Sequence, residues 1–235
     1  MLKLCVKDWI ACWRLWPALL FLLLLSTVWL FSASIALLTG AILVVGWLGI
    51  SAGLEEKNGT EVLSASLPLT RAAIVRGRYL LAGLMIPAAT VFILGGIPLI
   101  RLLRPPRIPS TAVRLLTLEG VAAFLVIAAA AAAYALPLYF RLGFGRAAAA
   151  FGISLPLIAV AAVGLGKLAA AWGWIRAIPT RSFLRDPALL VLGELARWKT
   201  AVGTLVFAVL GTALPAVILW ISMRLSILAY RKRDL

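Results

Sequence analysis

The chain reads as an all-α integral membrane protein with six transmembrane helices, and three observations carry that reading. It is 64% hydrophobic and only 13% charged over 235 residues, with a mean hydropathy of +1.08. Its apolar residues come in uninterrupted runs, each near the roughly 20 residues that cross a bilayer as a helix. Its charged residues gather in the stretches between those runs. A soluble domain of this size buries a good core but needs a far more polar surface.

The elements follow in order. Residues 1–14 form an amphipathic pattern, with Lys3, Lys7 and Arg14 on one face and Leu2, Val6, Trp9 and Trp13 on the other. This predicts a helix lying in the membrane interface, against the plainer reading of a charged flank with belt tryptophans. Leu15 to Leu54 carries no charge. As one helix of about 1.5 Å per residue it would reach about 60 Å, twice the bilayer core. The Ser32, Ala33, Ser34 patch is the place to turn, which gives spans at 15–32 and 34–54. Further spans are expected at 79–100, 118–139, 147–166 and 200–223, the fifth weakened by Gly152 and Pro156. Pro87, Pro98, Pro137 and Pro215 fall in or at the ends of spans, where neighbouring helices must satisfy the carbonyls that proline frees.

Six spans place both termini on one side, expected to be the cytosol. That side holds 13 of the 23 Lys and Arg residues, a slender bias toward the inside, supported by the basic Arg231, Lys232, Arg233 tail. No cleavable signal peptide is expected, because the first apolar run is too long and lacks a small-residue cleavage site. The 167–199 segment, with Trp172, Trp174 and several arginines, is expected outside. It reads either as short helices anchored at headgroups or as a release gate.

Composition also excludes chemistry. The chain has no histidine, which removes imidazole metal sites, Ser-His-Asp triads and zinc-protease motifs. Cys5 and Cys12 lie about 10 Å apart along one helix, too far to form a disulfide with each other. The net charge of +15 would point to nucleic acid in a soluble protein. Here the cations flank apolar runs, so the lipid bilayer is the expected contact and nucleic acid is not. Gly164, Gly166 and Lys167 echo a phosphate loop, but Ala161 and Leu168 stand where that loop needs a glycine and a hydroxyl. No nucleotide-binding, metal or catalytic motif is found, and the chain is not expected to be an enzyme. Asn58, Gly59, Thr60 fits a glycosylation sequon, which has no meaning in a cytosolic loop.

The informative stretch is 55–78, which holds Glu55, Glu56 and Glu61 among the eight carboxylates of the chain. Thr60 can cap a short helix through Ser66, Leu67 and Pro68 make a turn, and Thr70 can cap the helix that becomes the third span. A short transverse helix there can pass movement of an outside body to two spans; the plain alternative is a solvated connector. Residues 137–146 form a second inner loop, short, aromatic and glycine-rich. Gly49 and Gly53 form a GxxxG pair with Gly46 one turn earlier, suited to close helix packing within the chain or at a subunit interface.

These residues resemble a known family, the permease subunits of bacterial type-2 ATP-binding-cassette exporters. The likeness is carried by Glu55, Glu56 and Lys57, by Ser66 to Arg71, by Ile74 and Val75 through Arg78 and Tyr79, and by Pro137 to Arg146. In size the chain is similar to the compact permeases of phenol-soluble-modulin exporters. The resemblance implies a coupling helix seated on a separate cytosolic ATPase subunit, with Glu55, Glu56, Glu61, Leu63, Leu67, Pro68, Arg71, Tyr139, Arg141 and Arg146 at that contact. It implies no cofactor on this chain, with ATP and Mg on the partner ATPase. It further implies a second permease copy or paralogue, a place in the bacterial cytoplasmic membrane, and export of amphipathic peptides or of lipid-like or antimicrobial compounds. The arginine-rich outer loops depart from the family pattern. The rival classes are an ATPase-independent secondary transporter or channel, which usually carries ionisable groups at midplane, and a membrane-embedded enzyme.

Overall fold

The computed structural model describes residues 33–57, 70–103, 114–154 and 188–231, and all the regular structure in them is helical. We number the helices α1 (Ala33–Lys57), α2 (Arg71–Leu103), α3 (Leu118–Leu142), α4 (144–154), α5 (Ala188–Val202) and α6 (Thr204–Arg231). A single 3-10 turn, Arg114–Leu116, leads into α3. The interfacial helix, the first span, the short helix of the 55–78 segment, the arginine- and proline-rich stretch 104–113 and most of the fifth span lie outside the described residues. So does most of the 167–199 segment.

Among the described residues, three helices are long and apolar enough to cross a membrane: Arg71–Gly95, Leu118–Leu142 and Thr204–Tyr230, with a shorter apolar stretch at Thr39–Leu54. The expected spans at 34–54, 79–100 and 118–139 fall on α1, α2 and α3. The expectation at 200–223 is divided, because Gly203 breaks the helix between α5 and α6. Its φ of 89° is a conformation side-chain-bearing residues avoid, and the last helix therefore starts at Thr204 and runs on to Arg231.

The caps explain the boundaries. Thr70 accepts the Ala73 N–H on its Oγ1 at 3.2 Å and starts α2, as its sequence position predicts. At 33 residues α2 is about 50 Å long, well over the roughly 30 Å core it has to cross. Thr117 caps α3 in the same way, its Oγ1 accepting from Gly120 N–H at 3.4 Å. At the other end, Gly143 has φ 80° and ψ 172°, and its N–H donates to the Tyr139 carbonyl. The chain turns on that one residue and is helical again at once in α4. The expected loop over 137–146 is thus a single-residue corner.

α3 is the central helix. Six consecutive alanines, Ala128 to Ala133, keep the helix strong and its surface low, so neighbours approach closely. Ala128, Ala129 and Ala132 are fully buried, flanked by Phe124 and Phe140. α1, α2, α5 and α6 all pack on α3, and α6 does so most extensively. α6 offers one stripe, Phe207, Pro215, Ser222, Ser226 and Tyr230, and leaves Leu205, Val209, Leu214, Val217, Leu225 and Leu228 exposed. That is the pattern of a helix with one protein face and a broad apolar outer face.

Candidate functional site

Tertiary contacts place three helix ends together. Arg71, the first residue of α2, donates from its guanidinium to the Tyr230 carbonyl at 3.4 Å and lies 6.0 Å from the centre of the Tyr230 ring. Tyr230 stacks in a tilted arrangement on Phe140, 5.3 Å between ring centres, and Phe140 on Tyr139 at 5.1 Å. The start of α2 and the ends of α3 and α6 therefore share one end of the bundle. The end of α1 joins them through Phe144, whose ring packs on Gly49 and Gly53. A Cβ at Gly53 would come within 2.8 Å of that ring and one at Gly49 within 3.3 Å. The close approach that GxxxG permits is used here inside the chain, with an aromatic ring as the filler. A Cβ at Gly46 would meet nothing.

Of the ten residues assigned to ATPase contact, four have described side chains. Arg71, Arg141 and Arg146 are exposed and Tyr139 is half-buried, and all four lie at this shared end. Glu55 and Glu56 occupy the last turn of α1, their side chains outside the described residues. Glu61, Leu63, Leu67 and Pro68 lie outside them altogether. Arg76 adds a further exposed cation in the second turn of α2. Among the described side chains the exposed charges at this end are thus basic, braced beneath by the rings of Phe140 and Tyr230.

Arg78 behaves differently. It is 5% exposed and donates to Ser51 Oγ of α1. Placed by sequence at the end of the 55–78 segment, it is in fact a buried link between α1 and α2.

At the next residue, Tyr79, begins a buried hydroxyl chain. Ser222 donates to the Ala133 carbonyl at 2.7 Å, and Tyr79 Oη stands 2.6 Å from Ser222 Oγ and 2.7 Å from Ser226 Oγ. With its proton given to Ala133, Ser222 must accept from Tyr79, and Tyr79 must accept from Ser226. The chemical reason is Pro137. It has no N–H for the carbonyl four residues earlier, which is that of Ala133. α6 supplies the missing donor, as a membrane helix with an internal proline requires. Sequence reasoning raised the need but missed the donor; Ser222 and Ser226, four apart in an apolar helix, were the available signal.

The opposite end of the bundle is held by charge. Glu119, 7% exposed, bonds Lys199 Nζ at 2.7 Å. Glu119 sits in the first turn of α3 and Lys199 in the last turn of α5, so each charge faces the helix end whose dipole favours it. Glu119 stands at the start of the expected 118–139 span, and its partner lies 80 residues away in sequence, where no local pattern points to it.

Among the described residues no group of three or more His, Cys, Asp or Glu side chains could hold a metal. A family model for "ABC-2 family transporter protein" matches residues 3–231. No curated protein and no solved structure matches. With a family match across nearly its whole length and helices long and apolar enough to cross a bilayer, the chain belongs to the ABC-2 transporter family as a multi-pass membrane permease, and that membership implies an ATP-binding-cassette partner subunit.

Proposed function

We infer that this chain is the permease of an ATP-driven exporter in the bacterial cytoplasmic membrane, with six spans and both termini in the cytosol. The ATPase seats on the 55–78 segment and on the α3–α4 corner, and ATP with Mg binds on that partner. The observation that carries this reading is the gathering of Arg71, Tyr139, Arg141, Arg146 and Tyr230 at one end of the bundle, in a chain of the ABC-2 family. Closure of the ATPase pair pushes on the segment ahead of Arg71. α2 takes the push along its axis, and the Ser226, Tyr79, Ser222, Ala133 chain binds α2, α6 and α3 into one moving unit. A second permease copy or paralogue completes the pathway. The cargo is an amphipathic peptide or a lipid-like or antimicrobial compound, the classes suggested by the similarity in size to compact phenol-soluble-modulin exporter permeases.

The test is copurification with the cassette ATPase and measurement of its turnover with and without this chain. Glu61→Arg combined with Leu67→Asp is expected to abolish both the complex and the stimulated turnover. An intact, active complex from that double variant would show that the segment does not dock the ATPase.

A further inference from the structure

Between the second half of α1, the end of α3 and the start of α4 lies a cavity of about 360 Å³, which borders Tyr139 of the proposed ATPase contact on one side and runs on past it to Arg78 of α2. Its walls are apolar, made chiefly of Val45, Leu48, Leu136, Phe144 and Phe151, and the charged side chain lining it is Arg78. The size falls within the roughly 300–1,000 Å³ of small-molecule sites, and so does the character, greasy walls with few polar groups. Exposed Ala148 and Gly152 on α4 leave the cavity open to the side. An ionisable side chain within a membrane helix is costly and points to function. A guanidinium also presents a planar fork that fits a carboxylate or phosphate.

We propose that this cavity binds a single-chain amphiphile, its hydrocarbon tail among the α1, α3 and α4 side chains and its anionic head at Arg78. At about 360 Å³ the cavity takes one hydrocarbon chain, and the charge of Arg78 favours an anionic head over the zwitterionic head of bulk phosphatidylcholine. Two glycines in the lining give a means of closing it. Neither Gly46 nor Gly152 has anything within 4 Å of an added Cβ, so a larger side chain at either grows into the void without striking the fold.

The full-length permease, without its ATPase, is reconstituted in nanodiscs of zwitterionic phosphatidylcholine and photolabelled with a diazirine derivative of palmitic acid. Saturable labelling is expected within residues 45–52 and 135–152. Unlabelled palmitate should compete about tenfold better than its methyl ester, the scale of one charge-assisted hydrogen bond. Gly46→Leu with Gly152→Leu should cut labelling about tenfold, with helical circular dichroism unchanged. Arg78→Gln should equalise acid and ester while the tail still labels. Equal competition by acid and ester in the unsubstituted protein overturns the proposal without reliance on any variant. So does non-saturable labelling along the exposed face of α6, which marks ordinary boundary lipid. Because no ATPase is present, failure here leaves the coupling reading standing, and loss of ATPase copurification leaves this site standing.

Discussion

Ser222 carries more of the fold than its size implies, because it serves a carbonyl that Pro137 has orphaned. Ser222→Ala leaves Ala133 without a donor, at a cost of about 1–3 kcal/mol for the buried carbonyl left unpaired, while Tyr79 turns its proton to Ser226. We expect a clear fall in the thermal unfolding midpoint of the detergent-solubilised protein. Tyr79→Phe should be milder, since Ser222 still reaches Ala133 and Ser226 can turn to a carbonyl of its own helix. The decisive comparison is Pro137→Ala, which returns an N–H to the α3 ladder. Ser222→Ala should cost about 1 kcal/mol less in that background; strictly additive losses would mean that the hydroxyl does not replace the proline's missing donor. Gly143 makes a second residue-scale case. Its φ of 80° and ψ of 172° belong to a region essentially reserved for glycine, so Gly143→Ala should destabilise by about 1–3 kcal/mol in the same melting assay.

At the scale of elements, helix starts were legible and helix partnerships were not. Thr70 and the polar interruption before it announce α2, and the charge-free runs announce α1 and α3, because caps and hydropathy are local properties. The α5–α6 break at Gly203 went unseen, since a lone glycine inside an apolar run carries no signal of its φ. Partnership is set by tertiary approach, and the Glu119–Lys199 pair shows it, 80 residues apart in sequence and joining α3 to α5. Its strength has two sources, the ion pair itself and the placement of each charge at the dipole end that favours it. These can be separated. Glu119→Lys alone opposes two cations and should loosen α5, read as faster protease cleavage around residues 188–202. Adding Lys199→Glu restores opposite charges but sets each at the wrong helix end, at about 0.3–1 kcal/mol apiece. The reversed pair should therefore recover only part of the lost protection, and full recovery would show that the dipoles contribute nothing.

For the whole molecule, the two ends of the bundle differ in kind. One gathers Arg71, Tyr139, Arg141, Arg146 and Tyr230, and the other is closed by Glu119 and Lys199. The sequence anticipated this grouping, because alternating spans must return 55–78, 137–146 and the C-terminal end to one side. It did not reveal the buried link from Arg78 to Ser51, since a buried arginine and a surface arginine look alike in a string of letters. Nor did it fix orientation firmly, with 13 basic residues against 10, a difference too small for charge bias alone to decide. The geometry now supplies reporters for that question. Arg141 and Arg197 are both exposed and stand at opposite ends of the bundle. With Cys5 and Cys12 replaced by serine, Arg141→Cys should resist a membrane-impermeant maleimide in intact cells and react in inverted vesicles. Arg197→Cys should do the reverse. The two reporters must answer oppositely, since α3 crosses between the corner at Gly143 and the Glu119–Lys199 pair. If both follow this pattern, the basic end faces the cytosol and is available to an ATPase. The mirrored pattern would place that end outside, where no ATP-binding partner can reach it, and the coupling role of Arg71, Arg141 and Arg146 would fall with the orientation.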